Sequence, residues 1–325
     1  MKKFFAMVLT LVMVLSMTAC GSKDPETVKM RFVTGGESGT YFAFGGTIAQ
    51  HATNADNNIE VTAIVGNGSQ ANIQEMQKKT AELAFCQSDV MAYAYAGTNL
   101  FADSGKVDCF STVAALYMEQ VQIVTCDPSI KTVADLKGKK VSIGAAGSGV
   151  YFNAIDVLGC YGLTESDIIP TYQGFGDSAN SLKDGQIDAA FVVSGAPTTA
   201  IVELATTKTA YLVSIEDANV DKLLKSSPYY AKSVIPAGTY NGQTEDVTTV
   251  AVGAVVLARN DIPADAVYAL VSDIFATAAD ASASAAHAKY KELSLEFGAS
   301  ITAVPYHAGA AKFFTEKGFT VPTAG

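Results

Sequence analysis

Six times along the chain, a short apolar run rich in β-branched residues gives way to a small polar turn and then to apolar residues at helical spacing. The runs are "VKMRFVT", "IEVTAIV", "ELAFC", "KKVSIGA", "IIPTYQ" and "IDAAFVV", and the turns are "GGESGT", "GNGSQAN", "QSD", "AGSG", "GFGDSAN" and "SGAPT". Strands alternating with helices in this way predict an α/β architecture with mainly parallel sheets. Two longer apolar runs, "STVAALYMEQVQIVTC" and "DVTTVAVGAVVLARND", suit strands that cross between two lobes. After the second come "PADAVYALVSDIFATAADA" and "HAGAAKFFTEKGF", both helical by apolar spacing. Two crossings make the first lobe discontinuous. The division expected is 28–116 with 257–325 as lobe 1, and 117–256, including both crossing segments, as lobe 2. That layout is a hinged clamp.

The turns repeat. "SGTYF" from Ser38 to Phe42 returns as "SGVYF" from Ser148 to Phe152, a shift of 110 positions. Gly66, Gly68, Ala71 and Asn72 return 108 positions later as Gly174, Gly176, Ala179 and Asn180, and Phe85 precedes Phe191 by 106. Three elements in the same order at nearly constant offset indicate two similar α/β lobes. In open parallel sheets, ligands bind beyond the carboxyl ends of the strands, where helix N-termini present unpaired N–H groups and partial positive charge. Glycine lets the backbone approach a ligand, and a Ser or Thr hydroxyl there either caps the helix or bonds the ligand. The repeated elbow thus offers two facing surfaces across a cleft: Gly39, Thr40 and Tyr41 on one side, Gly147, Ser148, Gly149 and Val150 on the other. Tyr41, Tyr117, Tyr151 and Phe175 are aromatic candidates that either line that cleft or pack within their own lobes.

Charge narrows the chemistry. The chain holds only two arginines, Arg31 and Arg259. Arg31 lies within the first strand and is expected at a solvent edge; Arg259 ends the second crossing strand and is a candidate near the hinge. Bidentate arginine is the usual clamp for a carboxylate. With so little of it, a small anionic solute would be held by helix N-termini and hydroxyls, with or without a lysine. Without Lys2 and Lys3, 20 of the 22 basic residues remain against 32 acidic ones, a net charge of about −12. That balance excludes a nucleic-acid partner and a broad electrostatic membrane surface. The N-terminal "MKKFFAMVLTLVMVLSMTAC" has a positive start and an apolar core too short to span a bilayer. Its "MTAC" resembles a bacterial lipobox, which implies a signal peptide over 1–19, lipidation of Cys20, a tether over 20–27, and membrane contact only through the lipid. Cys86, Cys109, Cys126 and Cys160 are either buried free thiols or disulfide partners. The three histidines are scattered, there is no CxxC, and no metal site is expected. Neither a G-x-S-x-G elbow nor a Walker sequence occurs, so neither catalysis nor a cofactor is expected.

The ordered set "TGGESGTYF", "GNGSQANIQEM", "AELAFCQSDVMAYAYAG", "ALYMEQVQIV", "SIKTVADLKGKKVSIGAAGSGVYFNA", "LKDGQIDAAFVVSGAPTTAI", "SSPYYAKSVIPAGTY" and "YHAGAAKFFTEKG" resembles the TAXI group of TRAP-transporter solute receptors along nearly the whole mature length. The resemblance implies a type II periplasmic-binding-protein fold whose hinge is a pair of crossing strands. It implies a small carboxylate ligand, such as glutamate or a dicarboxylate. It also implies a monomeric extracytoplasmic receptor that delivers the ligand to the membrane subunits of an ion-gradient-driven TRAP permease. Carried over residue by residue, the contacts would be Thr40, Tyr41, Ser69, Ser88, Asp89, Ser148, Gly195 and Pro197. Two positions depart from the family pattern: Val150 stands where threonine is frequent, removing a hydroxyl, and Ala308 where proline is usual. The rival readings are the same fold serving an ATP-driven (ABC) importer or a membrane sensor, and a lipid-anchored enzyme. A neighbouring gene for a large permease, or turnover in a hydrolase screen, separates them.

Overall fold

The structure, a computed structural model, describes residues 27–55 and 57–324. The expected signal peptide, the expected lipidation site Cys20 and nearly all of the expected tether lie outside the described residues. The strands are β1 (Val28–Val33), β2 (Ile59–Ile64), β3 (Leu83–Gln87), β4 (Phe110–Thr125), β5 (Lys140–Ser142), β6 (Ile169–Thr171), β7 (Ala189–Ser194), β8 (Tyr211–Leu212), β9 (Ala231–Ile235) and β10 (Val247–Arg259). Each of the six short apolar runs contains one of them. β3 and β7 are buried at every position, as expected for parallel strands covered on both faces. The longer helices are α1 (Thr40–Asn54), α2 (Ser69–Gln77), α3 (Ser88–Ala96), α4 (Val150–Cys160), α5 (Phe175–Lys183), α6 (Thr199–Thr207), α7 (Asp217–Ser226), α8 (Ala264–Ala279) and α9 (Ala308–Glu316).

The strands form one continuous sheet in the order β2-β1-β3-β10-β4-β7-β5-β6, with β8 added beside β4 and β9 beside β10. β1 runs parallel to β2 and β3, and β5 runs parallel to β6 and β7. The two crossing strands are antiparallel to each other and to the strands flanking them. They join two half-cores. Along β4, Val113, Ala114, Leu116 and Tyr117 pack with β1, α1 and α8, whereas Val121 and Ile123 pack with α4 and β7. Along β10 the order is reversed: Val250 and Val252 join the second core, and Ala254, Val256 and Ala258 the first. The register between the two strands shifts at Ala254/Val255 and at Val256/Leu257. Such irregularities bend and twist a ladder locally, here beside the point where the side chains change lobe. The C-terminal helices return to the first lobe, where Val267, Leu270, Ile274, Phe313 and Phe314 complete its core.

Both guanidiniums are used far from the hinge. Arg31 is exposed, as expected, and pairs with Glu82 at 2.8 Å. Arg259 does not reach the hinge. It lies opposite Phe110 at the start of β4, contacts Glu82 at 3.1 Å and Asp261 at 2.8 Å, and so tacks down the outer edge of the first lobe. The four described cysteines are free thiols; Cys86 is buried and the others are partly exposed. Among the described residues, no helix is long and apolar enough to cross a membrane.

The packing of α8 on α9 gives a direct test. A Cβ on Gly309 would fall 2.0 Å from the Ala264 carbonyl oxygen and 2.8 Å from the Tyr268 nitrogen. Gly309→Ala is therefore expected to destabilise the protein by about 1–3 kcal/mol in urea unfolding. Gly46, inside α1 with nothing within 4 Å of its missing Cβ, should behave oppositely, with Gly46→Ala stabilising by about 0.5–1 kcal/mol.

Candidate functional site

The repeated elbows account for four helix starts. α1 and α4 begin just after the two SG elbows, and α2 and α5 begin in the two G-x-G elbows. In all four the N-cap is glycine (Gly39, Gly149, Gly68 and Gly174), and none has a side-chain cap hydrogen bond. None of the four N-cap residues thus supplies a hydroxyl to a first-turn N–H, although the Thr40 and Ala71 N–H groups find acceptors across the cleft. All four starts line one cavity of about 590 Å³ between the lobes.

The elbows also interlock across that cavity, with the SG elbow of each half against the G-x-G elbow of the other. A Cβ on Gly68 would lie 3.1 Å from Ser148, and the equivalent Cβ on Gly176 would lie 2.9 Å from the Ser38 hydroxyl. These two contacts join repeat-equivalent residues, so the lobes meet about an approximate two-fold axis. Gly68 also has φ +101, where a side chain would be strained. A Cβ on Gly39 would touch the Phe175 ring at 3.2 Å, and one on Gly149 would overlap Gln87 Oε1 at 1.7 Å. Cross-lobe hydrogen bonds hold the arrangement: Ala71 N–H donates to Gly147 O at 2.9 Å, and Ala200 N–H to Ser38 O at 3.3 Å. The Ser194 hydroxyl donates to Thr40 Oγ1 at 2.9 Å and accepts from the Thr40 N–H at 3.2 Å. Behind the cavity, Gln87 Nε2 donates to Asn153 Oδ1 at 3.0 Å, and Asn153 Nδ2 donates to Asp89 Oδ2 at 3.0 Å and to the Tyr230 hydroxyl at 2.7 Å.

Of the residues expected from sequence, Gly39, Thr40, Tyr41, Ser69, Ser148, Gly149, Val150 and Phe175 line the cavity. Tyr41 stacks on Phe85 with ring centres 4.5 Å apart, and Val150 also packs into the second-lobe core. The other six stand behind or beside the cavity. Ser88 accepts the Gly253 N–H at 3.0 Å at the hinge. Asp89 is buried in the Asn153 network. The Tyr117 hydroxyl donates to Glu119 Oε1 at 3.4 Å from a fully covered ring. Gly147 contributes its carbonyl to the cross-lobe bond. The Gly195 carbonyl accepts from Thr198 Oγ1 at 3.0 Å, and Pro197 is exposed beyond it. Tyr151 turns away, its hydroxyl donating to Glu165 at 2.7 Å.

Sequence reasoning missed Gln87, Tyr172, Gln173 and above all Glu119, all of which line the cavity. Glu119 sits within the long apolar run of β4, where the "EQ" break in hydrophobicity was the available signal. Five buried polar atoms of cavity-lining residues lack hydrogen-bond partners: Tyr41 Oη, Gln87 Oε1, Glu119 Oε2, Ser148 Oγ and Gln173 Oε1. Buried polar atoms are normally paired, so an unpaired group of this kind marks a place where a ligand completes the set. No lysine, arginine or histidine is among the described lining residues, and the acids there are Glu37, Glu119 and Asp177. Only Glu119 of the three is buried. Burial raises its carboxyl to about 8 and that of Asp89 to about 7, because the charged form loses its water.

The sequence pattern of the NMT1-like family matches residues 32–318. The chain belongs to the NMT1-like family. This NMT1-like chain is similar in structure to the alkanesulfonate-binding protein SsuA from Xanthomonas axonopodis pv. citri bound to MOPS, at 16% identity and a TM-score of 0.51, over 90% of this chain and 92% of that one. It is also similar to a protein of Bordetella bronchiseptica RB50, at 17% identity and a TM-score of 0.54 over 90% of both chains. A third likeness is to a binding protein component of a phosphonate ABC transporter from Pseudomonas aeruginosa, at 13% identity and a TM-score of 0.50, over 81% of this chain and 79% of that one. At these identities the likeness establishes the fold, a two-lobed type II periplasmic-binding-protein fold with a mainly parallel sheet.

Two measurements test this geometry. Gly149→Val places a branched side chain against Gln87 and Ser69, so it should hold the lobes apart. X-ray scattering is expected to give a larger radius of gyration than for the parent, with an unchanged circular dichroism spectrum. The raised carboxyls set a sign for pH. A group whose folded pKa exceeds its unfolded value contributes stability that is present at low pH and lost as pH rises through the folded value. Glu119 moves from 4.5 to about 8 and Asp89 from 3.8 to about 7. The melting temperature of the ligand-free protein should therefore fall between about pH 5 and 8, and Glu119→Gln should flatten that fall.

Proposed function

We propose that this chain is an extracytoplasmic solute-binding protein that captures a small carboxylate, either a glutamate-like amino acid or a dicarboxylate, between its lobes. It then hands the solute to the membrane subunits of a TRAP-type, ion-gradient-driven permease. In this reading the mature protein is a monomer, tethered to the membrane by a lipid on Cys20, and is not an enzyme. The observation that carries it is the convergence of four uncapped helix starts, two from each lobe, on one inter-lobe cavity.

Such starts are anion sites without arginine. A partly buried helix N-terminus contributes up to about 2 kcal/mol to a bound anion. Four of them contribute at most about 8 kcal/mol before the cost of association, so micromolar affinity also draws on aromatic burial. Ligand contacts made by both lobes stabilise the closed form over the open one, which gives a permease two states to tell apart. The TAXI-type segments "GTYF" and "YHAGA" favour a TRAP partner. The second reading, an ABC importer partner, draws on the likeness to a phosphonate ABC transporter binding component.

A thermal-shift screen of amino acids, dicarboxylates, sulfonates and phosphonates tests the proposal, because binding to the native state alone raises its stability. Carboxylates are expected to raise the melting temperature. Thr40→Trp and Ser148→Trp, which fill the cleft side of two helix starts, are expected to abolish that rise with the fold intact. Unchanged shifts in both variants would move the solute out of this cavity.

A further inference from the structure

The helix starts explain how a carboxylate is held, but one group in the cavity has the wrong sign for that task. Glu119 comes from the crossing strand β4, is only 2% exposed, and presents Oε2 without a hydrogen-bond partner. Its other oxygen is steadied by the Tyr117 hydroxyl at 3.4 Å. The nearby buried cation favours its charged form but makes its ion pair elsewhere. Lys289, on the segment Ala288–Glu292, lies over the Tyr117 ring at 5.2 Å and gives its ammonium to Glu292 at 2.5 Å. The remaining titratable groups facing Glu119 are Tyr41 from α1, whose hydroxyl lies close enough to favour the carboxylate, Cys86 from β3 and Asp89 from α3, and none of them is a cation. A second carboxylate placed against Oε2 would find a donor only if Glu119 kept its proton and like charge if it did not, whereas an ammonium would pair with the ionised carboxylate.

We propose that Glu119 is the specificity-determining residue of this cavity, and that its free carboxyl oxygen selects solutes carrying a protonated amine together with the carboxylate held by the helix starts. The proposal rests on the solute-binding reading above and chooses between its two solute classes: amino acids are taken and plain dicarboxylates are refused. It also fixes a proton balance. Near neutral pH the Glu119 carboxyl is held protonated by burial. Docking of an R–NH3⁺ group converts it to carboxylate, and its proton leaves to solvent as the ion pair forms. Affinity for an amino acid therefore rises with pH up to about 8, the value to which burial brings this carboxyl. A dicarboxylate would show the opposite slope, since it needs the protonated acid as a donor.

The test is calorimetry of the full soluble chain with matched pairs of probes, L-glutamate against glutarate and L-aspartate against succinate, in two buffers of different ionisation enthalpy at pH 7. The expected result is that at least one amino acid binds about tenfold or more tighter than its deaminated partner and releases a fraction of a proton approaching one. Glu119→Gln is expected to erase both the preference and the proton release while still binding the deaminated acid at least as well as the parent does. Equal or tighter binding of glutarate or succinate, or proton uptake, would overturn the role of Glu119 while leaving the solute-binding reading standing. Should neither member of any pair bind, the reading and the inference fall together. The comparison of ligands on the parent protein needs no variant, so a poorly folding Glu119→Gln would not rescue the idea.

Discussion

Everything in the cleft depends on how closely the two halves of the chain approach each other, and that distance is set by side chains that are absent. Gly68 against Ser148 and Gly176 against Ser38 are the same contact made twice, once from each repeat. A Cβ at either glycine meets the opposite elbow, so the approximate two-fold relation between the lobes survives only while these positions stay bare. Gly39, Gly68, Gly149 and Gly174 put the first turns of four helices at the cavity wall without a hydrogen bond from an N-cap side chain. The approach of the lobes and the exposure of the helix starts are therefore both properties of the backbone, and Gly68 serves both.

Around that backbone frame, side chains supply selectivity. The hydroxyls of Ser69 and Ser148 and the amide of Gln87 sit among the helix starts, and Tyr41 forms an aromatic wall stacked on Phe85. Glu119 opposes this positive field from the hinge strand. Two signs of potential within one small cavity suit a solute that itself carries both signs. The placement also links chemistry to motion, because Glu119 lies on β4 between Tyr117, whose ring packs with the first lobe, and Val121, whose side chain packs with the second.

The architecture was legible because most strands, turns and helices announced themselves locally, β8, β9 and α7 excepted. β-branched runs, glycine elbows and helical spacing in the two C-terminal segments all correspond to observed elements, and the two long runs are the crossing strands. The elbows were legible too, since Gly39, Thr40, Ser148 and Gly149 carry the composition of a helix start. What escaped was set by three-dimensional contact. Ser88 and Asp89 follow the same strand-to-helix logic, yet their side chains turn to the hinge glycine and to Asn153. Arg259 ends a hinge strand but at its far end, where Glu82 and Asp261 hold it. Glu119 was hidden in an apolar run, because a strand that is buried along its length gives no periodic hint of which polar residue faces a cavity.

The central claim is that one small solute is gripped between the uncapped starts of α1, α2, α4 and α5. A crystal structure of the protein purified without refolding, with its co-purified or added solute, tests it most directly. The account predicts a carboxylate within hydrogen-bond distance of first-turn N–H groups from both lobes, with the solute's nitrogen against Glu119. A solute lodged outside this cavity, or touching the helix starts of one lobe only, would contradict it.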